Sequence, residues 1–224
     1  MKLQLSPGIL VFWLVTAVLG YGREGGLALL FSALHEGAHF AAAKALGLHA
    51  ERISFGFFGG VLTLRERVIK PWKELPLHLA GPFCNLLLAS GFWMILRNQD
   101  AAGLSYAAVA GWIFPAFWLN LGLACFNLLP LLPLDGGKAM AVYLRFFLGE
   151  GLAFRISWFF SVIFAIFLFL LGVFLVQYNK ADLLLCAAGI RLFQAAQKEK
   201  QQAFCRMAET LWSYAPAEEA PERY

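Results

Sequence analysis

The chain has 224 residues, of which 60% are hydrophobic and 14% charged, and its formal net charge is +4. A soluble globular domain carries about 25% charged residues, so this composition cannot furnish a water-exposed surface and points to a protein solvated by lipid. The positive surplus suits anionic lipid headgroups. With no basic stripe interleaved with exposed aromatics, nucleic acid is not an expected partner.

A membrane-spanning helix needs roughly 20 apolar residues. By that measure the chain divides into six spans, at about residues 6–21, 25–46, 75–96, 104–132, 152–177 and 181–196. The expected fold class is an all-α polytopic membrane protein. Residues 1–197 form one membrane-embedded domain and 198–224 a short cytoplasmic tail, whose Glu218, Glu219 and Glu222 read as a solvated end.

Lys2 followed by an apolar run resembles a signal peptide, but Val18-Leu19-Gly20 is a poor cleavage site, so the run is expected to stay as the first span. Basic residues set orientation. A cytoplasmic N-terminus leaves only Arg23, Arg97 and Lys180 in outer loops, whereas the inner segments hold Lys44, Arg65, Lys70, Lys73, Lys138 and Arg145 among others. Both termini are therefore expected in the cytoplasm of a multi-pass cell-membrane protein. Cys84, Cys125, Cys186 and Cys205 are scattered and form no C-x-x-C pair, which implies reduced, inert thiols.

The second span contains His35-Glu36-Gly37-Ala38-His39. Residues four apart share a helix face, so His35 and His39 can point two imidazoles at one metal ion. Glu36, beside the first ligand, can take the proton of an attacking water. This is the H-E-x-x-H arrangement of zinc peptidases. The alternative is a pair of buried histidines bonded to neighbouring helices. Against it stands the cost of a charge at a span's centre, about 2.5–3.5 kcal/mol on insertion scales.

Between the second and third spans, Ile53, Phe55 and Phe57 alternate with Ser54 and Gly56, Gly59-Gly60 allows a turn, and Val61–Leu64 favours a returning strand. A short β-hairpin dipping toward the membrane from the cytoplasmic side is expected there. A helical substrate hides its carbonyls, so a free strand edge could receive the segment once it is unwound.

The fourth span runs into Asn127-Leu128-Leu129-Pro130-Leu131-Leu132-Pro133-Leu134-Asp135-Gly136-Gly137. Two prolines break the helix, which at membrane depth is tolerated where backbone is buried or lines a watery cavity. Asp135 is either the third metal ligand or a capping aspartate for a helix over 136–147. Zinc needs a third protein ligand with the fourth position left for water, which favours the ligand role. Depth agrees: His39 and His35 lie about 8 Å and about 13 Å above the inner end of the second span, and Asp135 lies near the inner end of the fourth.

At these residues the chain resembles the site-2 protease family of intramembrane zinc metalloproteases. His35-Glu36-x-x-His39 is similar to the family's zinc helix, and Asn127-x-x-Pro130-x-x-Pro133-x-Asp135-Gly136 to its second motif. Ala80-Gly81-Pro82-x-x-Asn85 looks like a third element. The short chain resembles most the branch of the stage IV sporulation protein FB protease. The resemblance implies one Zn2+ per chain held by His35, His39 and Asp135, with Glu36 as catalytic base. It also implies a membrane-protein substrate cut in or near its transmembrane segment, in regulated proteolysis such as that of a transcription-factor precursor. A regulatory membrane partner or a homo-oligomer is compatible with it. Asn127 is expected either to bind substrate or the reaction oxyanion, or to make a helix-to-helix hydrogen bond. Asn85 is expected to be structural, and His49 and His78 interfacial. The rival class is a transporter or metal-ion carrier built on the same intramembrane His, Glu and Asp residues; no inverted repeat supports it.

Overall fold

The computed structural model describes residues 2–5, 14, 16–18, 20–56, 59–65, 69–98, 103, 105–176 and 183–214. Most of the expected first span and the acidic end at 218–222 lie outside the described residues. Strand β1 (Lys2–Leu5) opens the chain, and α1 (Gly22–Ala45) carries the H-E-x-x-H segment. Strands β2 (Ala50–Gly56) and β3 (Gly59–Leu64) follow, then α2 (Pro71–Arg97). A three-residue helical turn and a π-helical stretch over Val109–Ile113 lead into α3 (Phe114–Asn127). Pro115, without an N–H, sits at the junction where the π stretch gives way to the α-helix. Helices α4 (Asp135–Leu175) and α5 (Leu183–Tyr214) complete the chain.

β2 and β3 pair antiparallel, with Ile53 opposite Leu62 and Ser54 opposite Val61. β1 adds parallel to the other side of β2, with Lys2 against Arg52. The sheet therefore has three strands in the order β1-β2-β3, and β2 is its centre. The expected first span began at residue 6 and left Lys2–Leu5 unassigned, because four residues are too few to show a strand's period.

Helix α3 stops at Asn127, short of the 132 expected for the fourth span. Pro130 and Pro133 cannot donate to a continuing ladder. Residues 128–134 instead make tight turns, Leu131 N to Leu129 O at 2.7 Å and Leu134 N to Leu131 O at 2.8 Å. Gly136 and Gly137 let this segment lie on the start of α4, since a Cβ on either would overlap the backbone of Leu128 and Leu129 or of Leu131 and Leu132.

Helix α4 is interrupted at Gly149, whose φ of 75° and ψ of 167° are closed to a residue with a Cβ. A straight helix would put residues 132 and 161 about 43 Å apart at 1.5 Å per residue. Leu132 N instead donates to Ser161 Oγ at 2.7 Å. The element is thus two antiparallel helical arms folded at Gly149, and the return arm passes beside the proline-broken segment.

The return arm shows how the protein is solvated. Ala153, Ser157, Ser161 and Ala165, at intervals of four, are buried, whereas Phe159, Phe160, Phe167 and Phe174 are exposed. Small residues inside and aromatics outside invert the pattern of a water-soluble helix and let helix backbones approach closely in lipid. Gly189 of α5 packs so near Ala165 and Phe169 that a Cβ there would sit 2.8 Å from Ala165 O. Three described helices, Pro71–Arg97, Val109–Asn127 and Asp135–Leu175, are long and apolar enough to cross a membrane. The chain is a largely helical membrane protein. Helix α1 falls outside that set; Arg23, Glu24, His35, Glu36, His39 and Lys44 make it too polar.

Candidate metal centre

Helix α1 buries a stripe at intervals of four, Phe31, His35, His39 and Ala43, with Glu36 beside it. The stripe faces α2 where Gly81 replaces a side chain: a Cβ at Gly81 would lie 2.6 Å from His35 Cε1 and would also overlap both Nε2 atoms. Only glycine lets α2 come this close to the imidazoles.

Three donor atoms converge. His35 Nε2 and His39 Nε2 are 3.1 Å apart, and Asp135 Oδ2 is 3.0 Å from the first and 3.1 Å from the second. Among the described residues these are the three that could hold a metal ion together. Asp135 reaches them because it is the first residue of α4, delivered by the break at 128–134.

The opposite side of each ring fixes which nitrogen has a free lone pair. His39 Nδ1 is 2.7 Å from Leu77 O, a carbonyl that can only accept, so Nδ1 carries the proton. His35 Nδ1 donates to Asn85 Oδ1 at 3.2 Å. In a neutral imidazole the other nitrogen is then an acceptor. Two bare Nε2 atoms and a carboxylate oxygen at mutual separations of 3.0–3.1 Å repel one another unless a cation or added protons lie between them. A tetrahedral zinc ion with bonds of about 2.0–2.1 Å separates its ligand atoms by about 3.3 Å. The triangle fits zinc in size, in donor type and in tautomer.

Glu36 is buried next to His35, at 9% exposure. Asn127, at the end of α3, is half-buried, and its Nδ2 donates to Leu123 O at 2.9 Å within its own helix. His78 lies 3.8 Å from Glu74 and outside the triad, as does the exposed His49. The four cysteines are free thiols.

Asn85, expected to be structural, is fully buried and orients His35. Leu77 is a second partner the sequence did not disclose, because its contribution is a main-chain oxygen. Partners of this kind typically change metal affinity by 10–100-fold when removed.

Residues 26–105 match the model of peptidase family M50. The chain is 36% identical over 138 residues to the candidate zinc metalloprotease Rip3 of Mycobacterium tuberculosis, covering 60% of this chain and 33% of Rip3. It is 27% identical over 142 residues to stage IV sporulation protein FB of Bacillus subtilis, covering 62% of this chain and 46% of that one. The chain thus spans between a third and a half of the length of these relatives. The site-2 protease from Methanocaldococcus jannaschii shares the fold, with a TM-score of 0.67 at 23% identity over 88% of this chain and 89% of that one. Over residues 26–105 the chain is thus similar to peptidase family M50, and its fold is shared with a site-2 protease.

Proposed function

We propose that this chain is a zinc-dependent endopeptidase that hydrolyses a peptide bond in or near a transmembrane segment of a membrane-tethered substrate. The observation that carries the reading is the triangle of His35 Nε2, His39 Nε2 and Asp135 Oδ2 on helices of a membrane protein, with Glu36 buried beside it. His35, His39 and Asp135 would hold one zinc ion, which when bound would supply Lewis acidity toward a water and a peptide carbonyl. Glu36 takes the proton of the attacking water and returns it to the departing amine. Asn127 hydrogen-bonds the substrate backbone or its developing oxyanion.

Six spans with both termini in the cytoplasm remain the arrangement that the basic residues favour. They put the triad in the cytoplasmic half of the bilayer. Cysteine labelling tests this: positions 23, 100 and 179 should react from outside only, and 60–74 from inside only. The substrate enters extended, as a strand added to the sheet. β2 is paired on both sides, so of the two outer strands, β1 and β3, the added strand is assigned to β3, the returning strand of the expected hairpin. Kinship to stage IV sporulation protein FB makes a membrane-bound precursor of a transcription factor a reasonable substrate class. A base beside the donor set suits hydrolysis, which needs a proton acceptor, better than metal transport. The experiment is cleavage of single-span test substrates by the purified chain in nanodiscs. Loss of cleavage with a chelator and its return with zinc are expected; cleavage indifferent to both would refute the reading.

A further inference from the structure

The three proposed ligands sit on two helices, α1 and α4, yet the bonds that hold those helices in register run largely through α2, which contributes no ligand. At the depth of the triad, α2 supplies Leu77 O to His39 and Asn85 to His35. One to three turns lower, at its start, consecutive residues of α2 reach the two ligand helices. Lys73 Nζ donates to Leu46 O at 2.6 Å, on the carbonyl that closes α1. Glu74 forms an ion pair with Arg145 on the first arm of α4, ten residues beyond Asp135. The guanidinium also faces Glu150 at 3.7 Å, across the reversal at Gly149. The Glu74 and Arg145 side chains are 21% and 23% exposed, so water screens the pair only in part.

Among the described residues, the polar side-chain bonds from the first arm of α4 to the rest of the site are this pair and those that Asp135 itself makes. Asp135 opens this arm, so a small shift of the arm moves it out of a triangle whose sides are 3.0–3.1 Å.

We infer that Lys73 and Glu74 form a clasp setting the spacing of the two ligand helices, and that Glu74 and Arg145 are positioning residues for Asp135 in the metal site. This rests on the zinc reading above. Lys73 anchors the α1 side through a main-chain carbonyl, so the Glu74–Arg145 half, made of two side chains, is the half that can be exchanged.

The test uses the full chain purified in nanodiscs, with zinc affinity measured by competition against a chelating dye. Absorption of the Co2+-substituted protein reports coordination geometry. Arg145→Met and Glu74→Gln should each raise the zinc dissociation constant about tenfold, within the range for removing a ligand's supporting partner, and should shift the Co2+ bands. The exchanged pair Glu74→Arg with Arg145→Glu should recover at least half of the logarithmic loss. That rescue separates positioning from general damage. If Arg145→Met fails to insert, Glu74→Gln, nearly the same size and shape, decides. Single variants with unaltered affinity and Co2+ spectrum would overturn the clasp, as would an exchanged pair no better than the worse single variant. His35→Ala in the same series isolates the underlying reading. If it binds zinc like the unaltered chain, the triad is wrong; if it loses zinc while the clasp variants do not, only the clasp is wrong.

Discussion

His39 and Leu77 lie on different helices, and the 2.7 Å bond from the imidazole Nδ1 to the Leu77 carbonyl commits the proton of the ring to the side away from Asp135. With Asn85 doing the same for His35, both Nε2 atoms are left as bare donors facing one carboxylate oxygen. A site arranged this way is less stable empty than filled. Zinc at a hundred times its dissociation constant adds about 2.7 kcal/mol to folding. Chelated protein in nanodiscs should therefore unfold several degrees lower, and zinc should restore the difference. In His35→Ala or Asp135→Ala protein, zinc should give much less of that gain, as read by thermal unfolding with and without the metal.

Asn85→Ala removes the acceptor for His35 Nδ1 and frees the ring to turn. Zinc affinity should fall between about 10- and 100-fold, with helical content unchanged. Gly81→Val places branched carbon where the imidazoles stand and should reduce affinity at least as far. Dye competition measures both. Wild-type affinity in either variant would mean that the α2 contacts do not shape the site.

Asp135 and Asn127 stand eight residues apart in one motif, but the structure gives them different surroundings. Asp135 is at the triad, and Asn127 is bonded back to Leu123 O. Asp135→Ala should lose zinc and cleavage together. Asn127→Ala should keep zinc and lower cleavage about 100- to 1,000-fold, on the scale of losing an oxyanion donor. Parallel metal analysis and cleavage assays separate the two roles.

What the sequence disclosed, and what it concealed, follows from how local each feature is. His35, Glu36 and His39 were readable because a helix alone puts residues four apart on one face. Asp135 was readable because two prolines and two glycines announce a break with a carboxylate at its end. The role of Asn85 depends on how closely two helices approach, which Gly81 permits but does not declare. Leu77 acts through its backbone, so no side-chain pattern could mark it. The break at Gly149 showed as a gap between expected helices, whereas the antiparallel course of the two arms became explicit only in the Leu132–Ser161 bond. β1 was hidden for another reason: its pairing partner is about fifty residues away.

The sheet order sharpens the expectation for substrate entry. Along an antiparallel strand, successive N–H groups point alternately toward the partner and away from it. Proline at Val61 and, separately, at Leu62 thus removes one inward and one outward N–H from β3. The outward one should slow cleavage several-fold without releasing zinc, and the inward one should loosen the sheet itself. Equal, unaltered cleavage rates in two folded, zinc-bound variants would exclude strand addition on β3.

The most direct measurement is made on Glu36→Gln protein, in which the base is replaced by a neutral side chain of the same shape while the three donors stay. One preparation is divided between metal analysis and cleavage of a single-span substrate, beside the unaltered chain. The account predicts about one zinc ion per chain in both proteins, with cleavage confined to the unaltered one. Glu36→Gln protein that cleaves at the wild-type rate would contradict it.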